Sequence, residues 1–145
     1  MKKLLILYYS KTGKTKKIAE EILEGAKKNP NIVSKMVDVQ NIQPEEVAVA
    51  DGFAFGSPTY FSGMSAPVLS LLTDLFFIKD KVTGKPMASF STGAGGQAKT
   101  IENIESVLKT FNPKLITGLA FGQEFSDSDL SDAQKLGEKL ASAIM

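Results

Sequence analysis

Apolar and polar positions along this chain fall into blocks, and the period of the blocks switches between that of a buried strand and that of an amphipathic helix. Leu4 to Tyr9 is continuously apolar, the pattern of a central parallel strand covered on both faces. From about Gly13 to Lys28 the residues Ile18, Ile22, Leu23 and Ala26 gather on one side of a helix, which Asn29-Pro30-Asn31 stops. Ile32 to Val39 predicts a second strand, and Ser34, Lys35 and Asp38 within it mark it as an edge. A short helical turn over Pro44 to Ala50 leads to a third, central strand at Gly52 to Gly56. Ser65 to Ile78 is the clearest helix, because Val68, Leu71, Leu72, Leu75 and Phe76 form one wide apolar face. Ser65 is placed to cap it, and Pro67 is tolerated in its first turn. Pro86 to Ser91 is a fourth strand, Gln97 to Thr110 a helix on Ile101, Ile104 and Leu108, and Leu115 to Phe121 a fifth strand. A last helix runs from about Asp129 to Ile144 on Leu130, Ala133, Leu136 and Leu140.

Strands that alternate with helices in this way predict an α/β chain with a doubly wound, open, five-stranded parallel sheet. The length of 145 residues fits a single domain over 1–145, large enough to bury a core without disulfides or a structural metal. In such sheets a ligand sits outside the carboxyl ends of the strands, at the point where strand order reverses. The segments that follow strands one, three and four therefore matter most.

Composition narrows the chemistry. The chain has no Cys and no His, which removes thiol catalysis, the usual zinc ligand sets and any imidazole acid or base. The balance of 17 basic and 16 acidic residues gives no electrostatic case for nucleic acid or an anionic membrane. Lys2 and Lys3 before an apolar run could imitate a secretory leader, but Leu4 to Tyr9 is too short for one and no small-residue cleavage site follows. No apolar run approaches the roughly 18 residues of a membrane span. A cytoplasmic location is the expectation.

All three segments at the carboxyl edge are polar or glycine-rich. After strand one, Ser10-Lys11-Thr12-Gly13-Lys14-Thr15 opens a helix. Its hydroxyls and backbone N–H groups can wrap a phosphate at the positive end of the helix dipole. The ending Gly13-Lys14-Thr15 resembles a nucleotide-binding P-loop, but the earlier glycine that motif needs is replaced by Tyr8, inside the strand. After strand three, the stretch from Gly56 to Pro67 (GSPTYFSGMSAP) places Tyr60 beside Phe61. One of them can stack on a planar heteroaromatic ligand while the other packs beneath the loop. After strand four, Ser91-Thr92-Gly93-Ala94-Gly95-Gly96-Gln97 has the glycines that allow positive φ and close backbone approach to a ligand.

The three loops together resemble those of flavodoxin-like FMN-binding proteins. Ser10 to Thr15 fits the phosphate signature [T/S]-x-T-G-x-T at every position, and the second and third loops resemble those of WrbA-type NAD(P)H:quinone reductases. The resemblance covers essentially the whole chain and implies the strand order 2-1-3-4-5 and FMN as cofactor. It implies that Ser10, Lys11, Thr12, Gly13, Lys14 and Thr15 hold the FMN phosphate. It further implies that Pro58, Thr59, Tyr60, Phe61 and Gly63 line the isoalloxazine ring, and that Thr92, Gly93, Gly95, Gly96 and Gln97 bound its pyrimidine side. In this family a backbone carbonyl near the ring accepts a hydrogen bond from the reduced flavin, and Gly63 is the candidate that lets that peptide turn. STGAGGQ holds no aromatic, so the segment from Phe121 to Phe125 is the candidate to cover the other ring face.

The functional expectation is an electron carrier between redox partner proteins, with no catalytic side chain and no metal. The alternative is an NAD(P)H-dependent quinone reductase, towards which Lys11, Lys14, Lys16 and Lys17 could attract a phosphate-bearing partner. WrbA-type reductases are longer and place a histidine near the ring; this chain has neither, which favours the carrier. A flavin-free interaction module on the same fold is the third reading, against which the intact phosphate loop speaks.

Overall fold

The computed structural model describes residues 1–145. The elements are β1 (Lys2–Tyr8), α1 (Lys14–Ala26), β2 (Ile32–Asp38), α2 (Pro44–Ala48), β3 (Gly52–Pro58) and α3 (Ala66–Phe76), then β4 (Pro86–Thr92), α4 (Gln97–Leu108), β5 (Lys114–Leu115), β6 (Leu119–Phe121) and α5 (Asp127–Ile144). All strand pairings are parallel, in the order β2-β1-β3-β4-β5, with β6 also on β4. This is the doubly wound parallel sheet that the residue pattern predicts, in the order 2-1-3-4-5 that the resemblance implies, with β2 at an edge and β1 and β3 inside.

Alternation along the strands divides the core into two layers. Leu4, Ile6, Ala54, Ala88 and Phe90 face one side, where they meet Ile18 and Ile22 of α1 and Leu136 and Leu140 of α5. Leu5, Leu7, Phe53, Phe55 and Met87 face the other, against Val68, Leu72 and Leu75 of α3 and Ile104 and Leu108 of α4. On the first side α1 and α5 also pack closely against each other. At their crossing, a Cβ on Gly25 would overlap the Gln134 backbone, and one on Gly137 would overlap Ile22 O.

The fifth strand departs from expectation. It is not continuous from Leu115 to Phe121 but splits into β5 and β6. Met87 pairs with Leu115 and Phe90 with Leu119, so two residues of β4 face three on the edge strand, which is a β-bulge. The cause is a close approach: a Cβ on Gly118 would lie 2.6 Å from Ser89 Oγ, so the backbone presses onto β4 there. The Ser89 hydroxyl is left buried without a hydrogen-bond partner.

Two ends also shift. β3 runs on to Pro58, which pairs with Thr92. Ser65 holds the cap position of α3 but its side chain caps no helix amide; its own N–H instead donates to Ser57 Oγ at 2.8 Å. The last helix starts at Asp127, two residues earlier than the apolar pattern implies, because Ser126 and Asp129 close a reciprocal capping box.

Candidate cofactor-binding site

β1 sends its chain to α1 on one face of the sheet, and β3 sends its chain to α3 on the other. The loops after these neighbouring strands diverge and open a crevice at the switch point. The loop after β4 closes the third side. They enclose a cavity of about 450 Å³, within the range of small-molecule sites. Lys11, Thr12, Lys14 and Thr15 line it from the first loop, Pro58, Thr59 and Tyr60 from the second, and Thr92, Gly93, Ala94 and Gly95 from the third.

The first loop is built to leave donors free. Gly13 precedes α1 with φ of 92°, a left-handed conformation that disfavours any residue with a Cβ. Ser10 Oγ turns inward and accepts from the amides of Gly13 (3.1 Å) and Lys16 (3.2 Å). The amides of Lys11, Thr12, Lys14 and Thr15 have no intramolecular acceptor. The first turn of α1 carries no acidic residue. Four unpaired N–H groups at the start of a helix form a nest for an anion. Ser10 and Gly13 thus shape the nest without lining the cavity.

The second loop is held from several sides. Thr59 N donates to Thr92 O at 2.9 Å, and Thr100 Oγ1 of α4 donates to Thr59 Oγ1 at 3.1 Å. Asn103 Oδ1, also on α4, accepts from Met64 N at 3.0 Å. Between these anchors, Tyr60 and Gly63 exchange both backbone hydrogen bonds, at 3.0 and 2.9 Å. The two central residues, Phe61 and Ser62, take φ of 52° and 59°, as a type I′ turn requires. Neither is glycine, so the turn holds backbone strain. Tyr60 lines the cavity and is partly exposed, whereas Phe61 is fully exposed and does not line it. The expectation that one of the two aromatics packs beneath the loop is therefore wrong: a positive φ at the turn tip throws Phe61 outward. Gly63 closes the turn behind the cavity wall and does not line it.

The third loop is tied to the first. Thr15 Oγ1 and Thr92 Oγ1 lie 2.8 Å apart, with both residues buried. Gly96 caps α4 with φ of 81°, and a Cβ there would lie 2.6 Å from Ser62 Oγ. Gly96 and Gln97 line a shallower cavity next door, with Ser62, Lys99 and Ala120, which meets the main one at Gly95.

The sequence missed two lining residues. Ala94 lies inside the third loop, where a featureless side chain gives no signal. Gln123 lies in the segment from Phe121 to Phe125 that was expected to cover a ring face. Its aromatics do not cover anything: Phe121 is buried, and Phe125 packs edge-on against it in the core. Of the nearby lysines, Lys11 and Lys14 line the cavity. Lys17 donates to Glu21 at 2.9 Å, and that hydrogen bond raises its ammonium pKa and lowers that of the Glu21 carboxyl.

These features fit a ligand with a phosphate at one end and a flat ring at the other. The amide nest and the Thr12 hydroxyl suit phosphate oxygens, and Tyr60 with the glycine-rich third loop suits a planar ring.

Residues 5–120 match the family model described as a flavodoxin domain. A flavodoxin of Clostridium saccharobutylicum is 29% identical, over 98% of this chain and 97% of its own length. Among solved structures, an archaeal flavodoxin superposes with a TM-score of 0.87 at 23% identity, covering 98% of both chains. A WrbA-like flavodoxin of Agrobacterium tumefaciens superposes with a TM-score of 0.78 at 21% identity, covering 99% of this chain and 98% of the other. With the fold, the amide nest after β1 and the three converging loops in place, the family match settles the assignment: the chain belongs to the flavodoxin family, whose cofactor is FMN.

Proposed function

We propose that this chain carries electrons between redox proteins through FMN held at the carboxyl edge of its sheet, acting as one unit over residues 1–145. The observation that carries the reading is the chemistry of the cavity wall. It contains no carboxylate, imidazole or thiol; its polar side chains are hydroxyls, one amide and two ammonium groups. Such a wall suits binding and orienting a cofactor, and electron transfer through a bound flavin asks no acid, base or nucleophile of it. The flavin supplies the redox chemistry when bound, and the protein positions it and tunes it by packing and hydrogen bonds.

In this reading the amides of Lys11, Thr12, Lys14 and Thr15 and the Thr12 hydroxyl hold the phosphate, while Ser10 and Gly13 keep those amides free. Tyr60 packs against one ring face, Pro58 and Thr59 bound its edge, and the backbone from Thr92 to Gly95 meets its pyrimidine side. Gly63, Gly96 and Gln97 support these loops from behind, and Phe61 stands at the exposed rim where a partner would dock.

A carrier and an NAD(P)H-dependent quinone reductase separate in one assay. The FMN-loaded protein is reduced chemically and mixed with oxidised cytochrome c, and in parallel is given NADPH and menadione. The proposal predicts rapid oxidation of the reduced protein by the cytochrome and no sustained NADPH consumption. Multiple turnovers of NADPH with menadione would replace the carrier with the reductase.

A further inference from the structure

The 17 basic and 16 acidic residues balance over the chain but not over its surface. Parallel strands all begin at one edge of the sheet, so the ends of α3 and α4 and the starts of β4 and β5 meet there, opposite the cofactor cavity. Residues 76–85 and 109–115 form this corner, and backbone bonds join them. Gly84 N donates to Phe111 O, and Lys114 N donates to Lys85 O, both at 3.1 Å. The two segments hold Lys79, Lys81, Lys85, Lys109 and Lys114 against a single acid, Asp80. Lys85 is turned inward, where its ammonium donates to Ala48 O at 2.8 Å and to Ala50 O at 2.7 Å. The other four lysines are exposed, and none has a carboxylate within 4.0 Å.

Two phenylalanines stand in solvent at the same corner. Phe77 is 80% exposed and Phe76 44%, their rings meet edge to face at 6.1 Å, and Lys79 Nζ lies 5.0 Å from the Phe76 centroid. Leu115, next to Lys114, is exposed as well. Cations after helix C-termini complement the helix dipoles, but that gives no reason for aromatic rings in water. Large apolar side chains grouped at a surface mark a contact. None of these residues lines any of the five principal cavities, so the patch projects from the molecule and has no groove to hold a peptide. Projecting rings among free ammonium groups match the headgroup layer of an anionic bilayer, where rings enter the acyl boundary and lysines meet lipid phosphates. We propose that this corner docks the protein on an anionic lipid bilayer, with Phe76 and Phe77 as the inserting side chains and Lys79, Lys81, Lys109 and Lys114 on the lipid phosphates. Docked in this way, the protein keeps its cofactor cavity at the far end of seven-residue strands, about 20 Å from the bilayer and open to partners. The inference goes beyond the carrier reading and does not depend on it.

The test is co-sedimentation of the full chain, incubated with FMN, with phosphatidylcholine vesicles and with vesicles that also hold about 30 mol% phosphatidylglycerol, at about 0.1 M and about 0.5 M salt. The wild type is compared with Phe77→Ser, with Lys79→Gln/Lys81→Gln/Lys109→Gln, and with Lys16→Gln/Lys35→Gln/Lys135→Gln, which removes the same charge elsewhere. All of these side chains are exposed, so each variant should fold, as far-ultraviolet circular dichroism checks. The wild type should sediment with the anionic vesicles at low salt, much less at high salt, and not with phosphatidylcholine alone. The corner lysine variant should lose roughly ten- to a hundred-fold in vesicle affinity, at about five-fold per lysine. Phe77→Ser should lose about ten-fold, and the control variant should lose no more than about three-fold. No sedimentation of the wild type with anionic vesicles, or equal losses in the corner and control variants, would overturn the proposal. Loss in the lysine variant with none in Phe77→Ser would also overturn it, because the corner would then be a site for any polyanion, an acidic protein included. The protein bands of the pellet give this reading whether or not FMN is retained, so a failure of the cofactor assignment is seen separately.

Discussion

The Thr15–Thr92 hydrogen bond joins the first turn of α1 to the end of β4 and so ties the phosphate loop to the third loop. Its two hydroxyls are 2.8 Å apart, and Thr15 and Thr92 are only 1% and 3% exposed. Valine has nearly the shape of threonine, so Thr→Val removes the hydroxyl and leaves packing almost unchanged. In the FMN-free protein, Thr92→Val strands the Thr15 hydroxyl in a buried place, and Thr15→Val strands the other. Each single variant should lose about 1–3 kcal/mol of stability, mostly as the desolvation penalty of the orphaned group. The double variant has no orphan, so it should lose no more than either single variant, giving a coupling at least as large as one single loss, about 1–3 kcal/mol. Urea unfolding of the four FMN-free proteins, followed by far-ultraviolet circular dichroism, measures the cycle. Single losses that add to within about 0.5 kcal/mol in the double variant would show that the pair does not act as a unit.

Other consequences are equally open to test. Phe61→Gly relieves a left-handed φ at a side chain that packs on nothing. The FMN-free protein should gain about 0.5–1 kcal/mol once glycine's chain entropy is set against the strain, and a loss of stability in urea would refute the strain assignment. Gly137→Ala drives a methyl into the Ile22 backbone at the α1–α5 crossing, and overpacking should outweigh the gain in helix propensity, for a net loss of about 1–3 kcal/mol by thermal unfolding. The Glu21 carboxyl has its pKa lowered by the hydrogen bond from Lys17 and then by that from Gln134. A depressed carboxyl pKa stabilises the fold above the unfolded-state value, about 4.3, and that stabilisation fades as pH falls through the lower folded-state value. Glu21→Gln should therefore flatten the acid side of the stability profile, modestly because water screens the exposed Lys17, and an unchanged slope below about pH 5 would contradict the pairing.

Much of the architecture was legible because buried parallel strands and amphipathic helices carry different periods. Leu4 to Tyr9 and the Val68–Leu72–Leu75 face declare themselves locally, and the strand order followed from resemblance. What was not legible depends on contacts between distant residues. Nothing near Gly118 indicates that it presses against Ser89, yet that contact splits the edge strand. Nothing in Tyr60-Phe61-Ser62-Gly63 announces two non-glycine residues at positive φ; anchors on Thr92, Thr100 and Asn103 impose that turn. Ser65 reads as a cap, but Ser57 takes its amide instead. Gln123 has no motif, and enters the cavity wall only because β6 ends beside the third loop.

The central claim is that this cavity holds FMN. The most direct measurement is the visible absorption spectrum of the purified protein after incubation with FMN and removal of the excess. The account predicts oxidised-flavin bands that stay with the protein at one FMN per chain and are lost when Thr12→Val and Lys14→Gln are combined. A colourless protein, or one that keeps riboflavin as firmly as FMN, would contradict it.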